Sequence, residues 1–263
     1  MLLQDRVVVI TGAASGIGRA LASACAARGC RLALVDRLAD DLRAVAGSLP
    51  TQATTHVVDV ADRAAVLAVA AEVCARHGAV HALINNAGVA LAARLDETRD
   101  ADLDWLLATN LGGVVNGCRA FLPSLRRQGG RIVNIASAFA LVGFAGKTAY
   151  CASKFAVRGF SEALQAELHG TGVGVTVAYP GAVATGLVSS GRAVHEQRRA
   201  VEDDWLQRHG LPPAKVAARI VRALERDEAR VVVGRDAWTL DVAARWCPRL
   251  LARWLSGRGP GRS

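Results

Sequence analysis

Residues 6–18 read R-V-V-V-I-T-G-A-A-S-G-I-G. Residues 6–11 are mostly apolar and β-branched, the pattern of a strand covered on both faces within a parallel sheet. Gly12, Gly16 and Gly18 follow directly, and a helical pattern then runs over residues 17–28 until Gly29 stops it. Strand, glycine turn and helix together make a phosphate site. Glycine lets the backbone approach a pyrophosphate, and the N–H groups at the helix terminus meet its negative charge. The spacing departs from G-x-G-x-x-G, so these glycines alone are weak evidence for a dinucleotide.

Outward from that turn, residues 31–35 form the next strand and end in Asp36, about 20 residues beyond the glycines. A carboxylate there accepts from the adenosine-ribose hydroxyls and repels a 2′-phosphate, which favours NAD. Arg37 keeps NADP open, since its guanidinium can stack on adenine or pair with that phosphate. Asp36 is also placed to cap the helix that follows.

The same rhythm continues. Residues 56–58 are strand-like and lead to Asp59-Val60 and a helix over 63–75; residues 80–84 form a strand ending in Asn85-Asn86-Ala87-Gly88. A long helical region, 102–127, carries Asn110 among apolar positions, where a satisfied core amide is the ordinary reading. Strands over 131–135 and 173–178 end near Ser137 and Tyr179-Pro180-Gly181. Residues 182–210 are polar and mixed, as in a mobile cover; Pro212-Pro213 opens a helix to 226, and 231–233 is a last strand. This alternation predicts an α/β fold: one doubly wound parallel sheet of Rossmann type, with ligands at the carboxyl ends of its strands.

Tyr150 and Lys154 stand four apart on a helical stretch and so share a face. A free phenol has a pKa of about 10, and acid–base work near neutrality requires it to fall. An ammonium about 4 to 5 Å away, at an effective dielectric near 20, supplies on the order of 3 to 4 kcal/mol toward that. Spacing alone is equally satisfied by a surface pair.

Composition narrows the remaining classes. Six scattered cysteines, with no C-x-x-C pair and no Cys/His cluster at metal spacing, predict reduced thiols and neither a disulfide framework nor a metal centre. The start of the chain shows no signal-peptide pattern and no apolar run of about 18 residues occurs, so a soluble cytoplasmic protein is expected. Net charge is +9, and only Lys147, Lys154 and Lys215 among the 32 basic residues are lysines. From Lys215 onward there are 11 basic and 5 acidic residues, a surplus of six. No nucleic-acid-binding motif accompanies this basic end, so nucleic acid is not an expected partner.

Taken in order, T-G-A-A-S-G-I-G at 11–18, Asp59-Val60, N-N-A-G at 85–88, Asn110, Ser137, Y-C-A-S-K at 150–154 and Pro180-Gly181 resemble the short-chain dehydrogenase/reductase family over roughly residues 5–235. The resemblance implies a catalytic group of Asn110, Ser137, Tyr150 and Lys154, with Asn110 holding a helix distortion. It implies cofactor contacts from Gly12, Ser15, Gly16, Ile17 and Gly18, from Asp36, Arg37, Asp59 and Val60, and from Asn86, Ala87 and Gly88. Tyr150, Lys154, Pro180, Gly181, Val183 and Thr185 complete that set. The implied cofactor is NAD, with NADP as the alternative, and the implied partners are a small alcohol or ketone and further copies of the chain.

The carboxyl end departs from the family members that act on carrier-bound ketoacyl chains, which finish in V-D-G-G; here Val233-Gly234-Arg235-Asp236 continues for more than twenty residues. That places tetramer assembly through this end in doubt and leaves a dimer through the helices bearing Asn110 and Tyr150. The expected organisation is a catalytic domain over 1–235, with its cover at about 182–212, and an extension over 236–263. In the extension Trp238, Val242, Trp246, Leu250 and Trp254 recur every four residues beside Arg245, Arg249 and Arg253. Such a stripe suits an anionic membrane surface, but packing on the chain's own domain or a second subunit is the favoured expectation. Pro248 should bend it, and residues 257–263 are expected to be disordered. Apolar residues after Ser137 (138–144), with Leu187 and Val188, suggest a lipophilic secondary alcohol or ketone. A carrier-linked ketoacyl reductase and a non-catalytic nicotinamide sensor remain as alternatives.

Overall fold

The computed structural model describes residues 1–256, so the expectation for 257–263 lies outside the described residues. Seven parallel strands make the central sheet, in the order β3-β2-β1-β4-β6-β7-β9. In chain order these include β1 (Val7–Thr11), β2 (Arg31–Asp36), β3 (Ala53–Val57) and β4 (Ala82–Asn85). A short β5 (Leu91–Ala92) precedes β6 (Arg131–Ile135) and β7 (Gly174–Pro180); a short β8 (Arg192–Ala193) precedes β9 (Arg230–Val233). All five residues of β1 are buried, as its unbroken apolar run requires. Val9 pairs with Ala33 on one side and Leu83 on the other. The order reverses between β1 and β4, and a crevice opens at their carboxyl ends.

Helices cover both faces. On one side α1 (Gly16–Ala26), α2 (Ala39–Gly47) and α8 (Pro213–Arg226) bury Leu21, Leu42 and Ile220 against the sheet. On the other, α3 (Arg63–His77), α5 (Gly113–Gln128) and α6 (Thr148–Glu167) bury Val73, Phe121 and Val157. The long helical region expected over 102–127 is interrupted. It consists of α4 (Asp100–Leu107), a π-helical turn over Ala108–Gly112 and α5, with Asn110 inside the wide turn.

The segment expected to be a mobile cover is built from regular elements and is tethered. It contains β8, paired in parallel with β5, and the helix α7 (Glu196–His209). Arg192 Nη1 donates to the buried Asp102 at 2.7 Å, and its guanidinium lies 4.0 Å from the centre of the Trp105 ring. Lys147 Nζ donates to Glu202 Oε2 at 2.6 Å, tying α7 to the start of α6.

The extension folds back on the sheet as α9 (Arg235–Trp246) and α10 (Pro248–Ser256), broken at Cys247–Pro248 because the proline ring cannot continue the first helix. Asp241 accepts from Arg230 at 2.7 and 3.0 Å, while Leu240, Ala244, Leu251 and Leu255 pack on the core beside β7. The part of the expectation that packs the aromatic stripe on the chain's own domain needs correction for Trp238, Trp246 and Leu250. The inward face is the Ala237–Leu240–Ala244 row, and Trp238, Trp246 and Leu250 point away from this chain. Among the described residues, no helix is long and apolar enough to cross a membrane.

Candidate active site

A cleft of about 660 Å³ opens at the carboxyl ends of the strands, where the order of β1 and β4 reverses. Its first end is made by backbone. Gly12 adopts φ +66°, and a Cβ there would stand 2.7 Å from the Ala87 Cα; a Cβ on Gly18 would collide with the Gly12 carbonyl. Both positions therefore require glycine. Asn86 fastens the turn to β4, its Nδ2 donating to the carbonyls of Thr11 and Gly12 at 3.0 Å each. Ser15 precedes α1 without capping it through its side chain, so first-turn N–H groups face the cleft for an anion.

Most of the sequence-derived cofactor set is brought together on that wall: Gly12, Ser15, Gly16 and Ile17 from the turn, Asp36 and Arg37 from the end of β2, and Asp59 and Val60 beyond β3. Asn86, Ala87 and Gly88 follow β4; Pro180 ends β7, and Gly181, Val183 and Thr185 follow it. Gly18 lies just beneath the wall and shapes it from behind. Asp36 Oδ2 accepts from Ala14 N at 2.9 Å and Oδ1 from Leu38 N at 3.1 Å. It thus braces the glycine turn, and Leu38, not Asp36, occupies the capping position of α2. Asn85, at the end of β4, turns inward instead of lining the cleft. Its Nδ2 donates to Asn134 Oδ1 at 2.9 Å, and Asn134 Nδ2 to Ser161 Oγ at 2.9 Å, a buried chain joining β4, β6 and α6.

The polar centre lies midway. Ser137, just past β6, stands close enough to the Tyr150 phenol to lower its pKa, and its Oγ accepts from Phe139 N at 3.2 Å. Lys154 Nζ donates to the Ile135 carbonyl at 3.1 Å. Asn110 is fully buried and satisfied: Oδ1 accepts from Val89 N at 2.8 Å, while Nδ2 donates to Val89 O and to Ser153 Oγ, both at 3.0 Å. Ser153 Oγ in turn donates to the Tyr150 carbonyl at 2.8 Å. The ordinary reading of a core amide and the implied role in a helix distortion therefore coexist. Gly88 lets these groups converge, since a Cβ there would lie 3.3 Å from Asn110 Oδ1 and 3.5 Å from Lys154 Nζ.

One electrostatic expectation is overturned. Burial pushes the Tyr150 phenol well above its usual range; the Ser137 hydroxyl opposes this, and the nearby Cys151 and Glu202 add to it. Lys154 is not among the groups that oppose it: its ammonium, itself lowered to about 8 by burial, is turned to the Ile135 carbonyl. Desolvation penalises the charged form of both partners here, which face-sharing along a helix cannot reveal.

The far end is mostly apolar, with the Lys147–Glu202 pair at its margin. Ala138, Phe139, Phe144, Leu187 and Val188 line it, whereas Leu141 and Val142 are spent in the core. Lys147, Glu202, Trp205, Leu240 and Trp254 line it as well and were not foreseen. Lys147 did carry a signal: it is one of only three lysines and stands one helical turn before Tyr150.

The residues fit a nicotinamide dinucleotide on the geometry alone, with a glycine cradle for a pyrophosphate at one end and a carboxylate at the edge where an adenosine would lie. Comparison with known proteins agrees. The family model for short chain dehydrogenases matches residues 6–195. A Mycobacterium tuberculosis protein called oxidoreductase SadH is 41% identical over 253 residues, 92% of this chain and 91% of that protein. A Burkholderia phymatum short chain dehydrogenase/reductase solved in complex with NAD superposes with a TM-score of 0.86 at 27% identity, covering 100% of both chains. A Thermococcus sibiricus alcohol dehydrogenase, complexed with 5-hydroxy-NADP, gives 0.75 at 29% identity over 88% of this chain and 95% of that one. With the sheet order, the glycine turn and the Ser137–Tyr150–Lys154 centre, these matches establish that the chain belongs to the short-chain dehydrogenase/reductase family, as an NAD(P)-dependent oxidoreductase acting between CH–OH and C=O.

Proposed function

We propose that this protein interconverts a lipophilic secondary alcohol and its ketone, with NAD as the preferred cofactor. The observation that carries the reading is that Ser137 and Tyr150 line one cleft together with the glycine turn and with the apolar side chains Phe139, Phe144, Leu187, Val188 and Trp205. A substrate whose oxygen reaches the phenol lays its carbon skeleton on those side chains.

Tyr150 exchanges the hydroxyl proton at its Oη, and Ser137 Oγ holds the same oxygen and steadies the charge that develops there. Lys154 donates to ribose hydroxyls from its place beside Gly88, and Asn110 positions the wall by fixing Val89. When bound, the nicotinamide supplies or accepts hydride, and its oxidised ring brings a positive charge that opposes the upward push on the phenol. Gly12, Ser15, Gly16 and Ile17 would hold the pyrophosphate, with Gly18 shaping the turn from behind and Asn86, Ala87, Gly181, Val183 and Thr185 available to the rest of the cofactor. Asp36 reads the adenosine ribose. Arg37, exposed beside it, covers adenine.

The domain reading follows from the same cleft. Residues 1–235 form the catalytic unit, and the extension belongs to it by contributing Leu240 and Trp254 to the substrate end. A homodimer through α5 and α6 is the proposed assembly, with Phe155 exposed on α6, and the cytoplasm the proposed compartment. The test is thermal stabilisation by NAD against NADP, followed by a panel of alcohols and ketones of increasing apolar size read at the nicotinamide absorbance. Stronger stabilisation by NADP, or turnover confined to small polyols, would overturn the reading.

A further inference from the structure

We propose that the outer face of α9 and α10 docks on a lipid bilayer containing anionic headgroups. Helix α9 uses Ala237, Leu240, Asp241 and Ala244 to face its own domain. At 100° per residue, Trp238, Val242 and Trp246 then fall on the opposite side. Trp238 is 60% exposed, Trp246 82%, and Leu250 on α10 65%. Other large apolar side chains are exposed as well, Leu67, Leu95, Val201 and Trp205 among them, but Trp238, Trp246 and Leu250 recur along two consecutive helices, and such a grouping needs an explanation that scattered surface hydrophobes do not.

The charges beside them identify the partner. Arg245, Arg249 and Arg253 are exposed along the same two helices, and only Arg245 has a carboxylate within ion-pair reach, Asp241 at 3.0 Å. Arg249 and Arg253 have none among the described residues. An indole body with a polar N–H suits the boundary between acyl chains and headgroups, and guanidinium groups flanking it suit phosphate. A second copy of this chain meeting the same face about a two-fold axis would double an excess of cations within one interface, since α9 and α10 carry Arg235, Arg245, Arg249 and Arg253 against Asp236 and Asp241 alone. Anionic lipid resolves both features at once. The break at Pro248 sets α10 so that Leu250 continues the apolar patch while Leu251 and Leu255 stay packed.

Trp254, about half exposed, is shared between this surface and the substrate cleft. A docked protein therefore presents the apolar end of its cleft close to the bilayer. That second consequence rests on the proposed lipophilic substrate; the docking itself does not, and the two fail separately.

The test uses the full chain, sedimented with vesicles of phosphatidylcholine alone and with phosphatidylglycerol added. Binding is expected only to the anionic vesicles, weakening by about ten-fold or more as salt screens it. Trp238→Ser with Trp246→Ser, and separately Arg249→Gln with Arg253→Gln, should each lower the bound fraction several-fold with turnover of a soluble alcohol unchanged. The proposal is overturned by equal binding to both vesicle types, by binding that neither double variant weakens, or by no binding at all. A tryptophan variant that lowers the mass measured by light scattering, without vesicle binding by the parent, assigns the face to a second copy instead.

Discussion

The Lys154 ammonium lies 5.8 Å from the centre of the Tyr150 ring and directs a hydrogen bond to the Ile135 carbonyl instead. The two residues share one face of α6 without touching at their polar ends. In the proposed mechanism, proton exchange by the phenol therefore draws on Ser137 and on charge brought in with the cofactor. Tyr150→Phe removes the one oxygen concerned and leaves the ring packed against Phe139. Cofactor titration should be nearly unchanged, while turnover should fall by about 10²- to 10⁴-fold, the usual contribution of a positioned acid–base group.

Lys154 gives a pH signature. Its folded pKa of about 8 lies below the ordinary 10.5, so between those values the folded chain holds fewer protons than the unfolded one. Stability carried by this group therefore rises as pH climbs through that window, and at neutral pH burial of the charge costs on the order of 3 kcal/mol. Denaturant midpoints from pH 7 to 10.5 should rise for the parent relative to Lys154→Met, which fills the same space without a charge; parallel curves would contradict the buried ammonium.

Asn110→Ala leaves Val89 N and Val89 O without their partner and takes a donor from Ser153 Oγ, which keeps its bond to the Tyr150 carbonyl. Each buried group left without its partner costs about 1 to 3 kcal/mol, so a loss of several kcal/mol in urea unfolding is expected, with turnover reduced beyond what cofactor affinity explains. Asn110→Asp would retain the acceptor for Val89 N and recover only part of it.

Asp36 braces the turn and, in the proposed reading, also takes the adenosine ribose. Asp36→Asn retains an acceptor for Ala14 N or Leu38 N while removing the charge. It should relax discrimination against NADP with little loss of stability; Asp36→Ala should weaken NAD and lower the melting temperature as well. Competitive titrations with the two cofactors separate these effects.

Glu202 adds to the upward push on Tyr150 and pairs with Lys147. Glu202→Gln should move the pH dependence of alcohol oxidation to lower pH, since the phenol loses a proton more readily without a carboxylate nearby. The same change loosens α7 from α6, so KM for bulky substrates should rise. A fixed pH profile would show that Glu202 serves only as a tether.

The parts of this enzyme that were legible in the amino-acid order are those set by local requirements. Buried strands need unbroken apolar runs, as in β1. A turn held between the Ala87 backbone and α1 admits only glycine at 12 and 18, and a helical period brings residues 150 and 154 to one side. These demands are met within a few residues, so they leave a readable pattern. The interruption at Asn110 came from family resemblance and had no local mark, because a π turn is stabilised by distant partners such as Val89 and Ser153. What depended on the tertiary structure was decided by which remote segments meet and how completely they exclude water. The meeting of Lys147 with Glu202, the arrival of Trp254 at the cleft, the direction in which burial moves the Tyr150 phenol and the outward turn of Trp238 and Trp246 all rest on contacts between residues far apart along the chain, and solvent exclusion is a property of the assembled fold that no single stretch possesses.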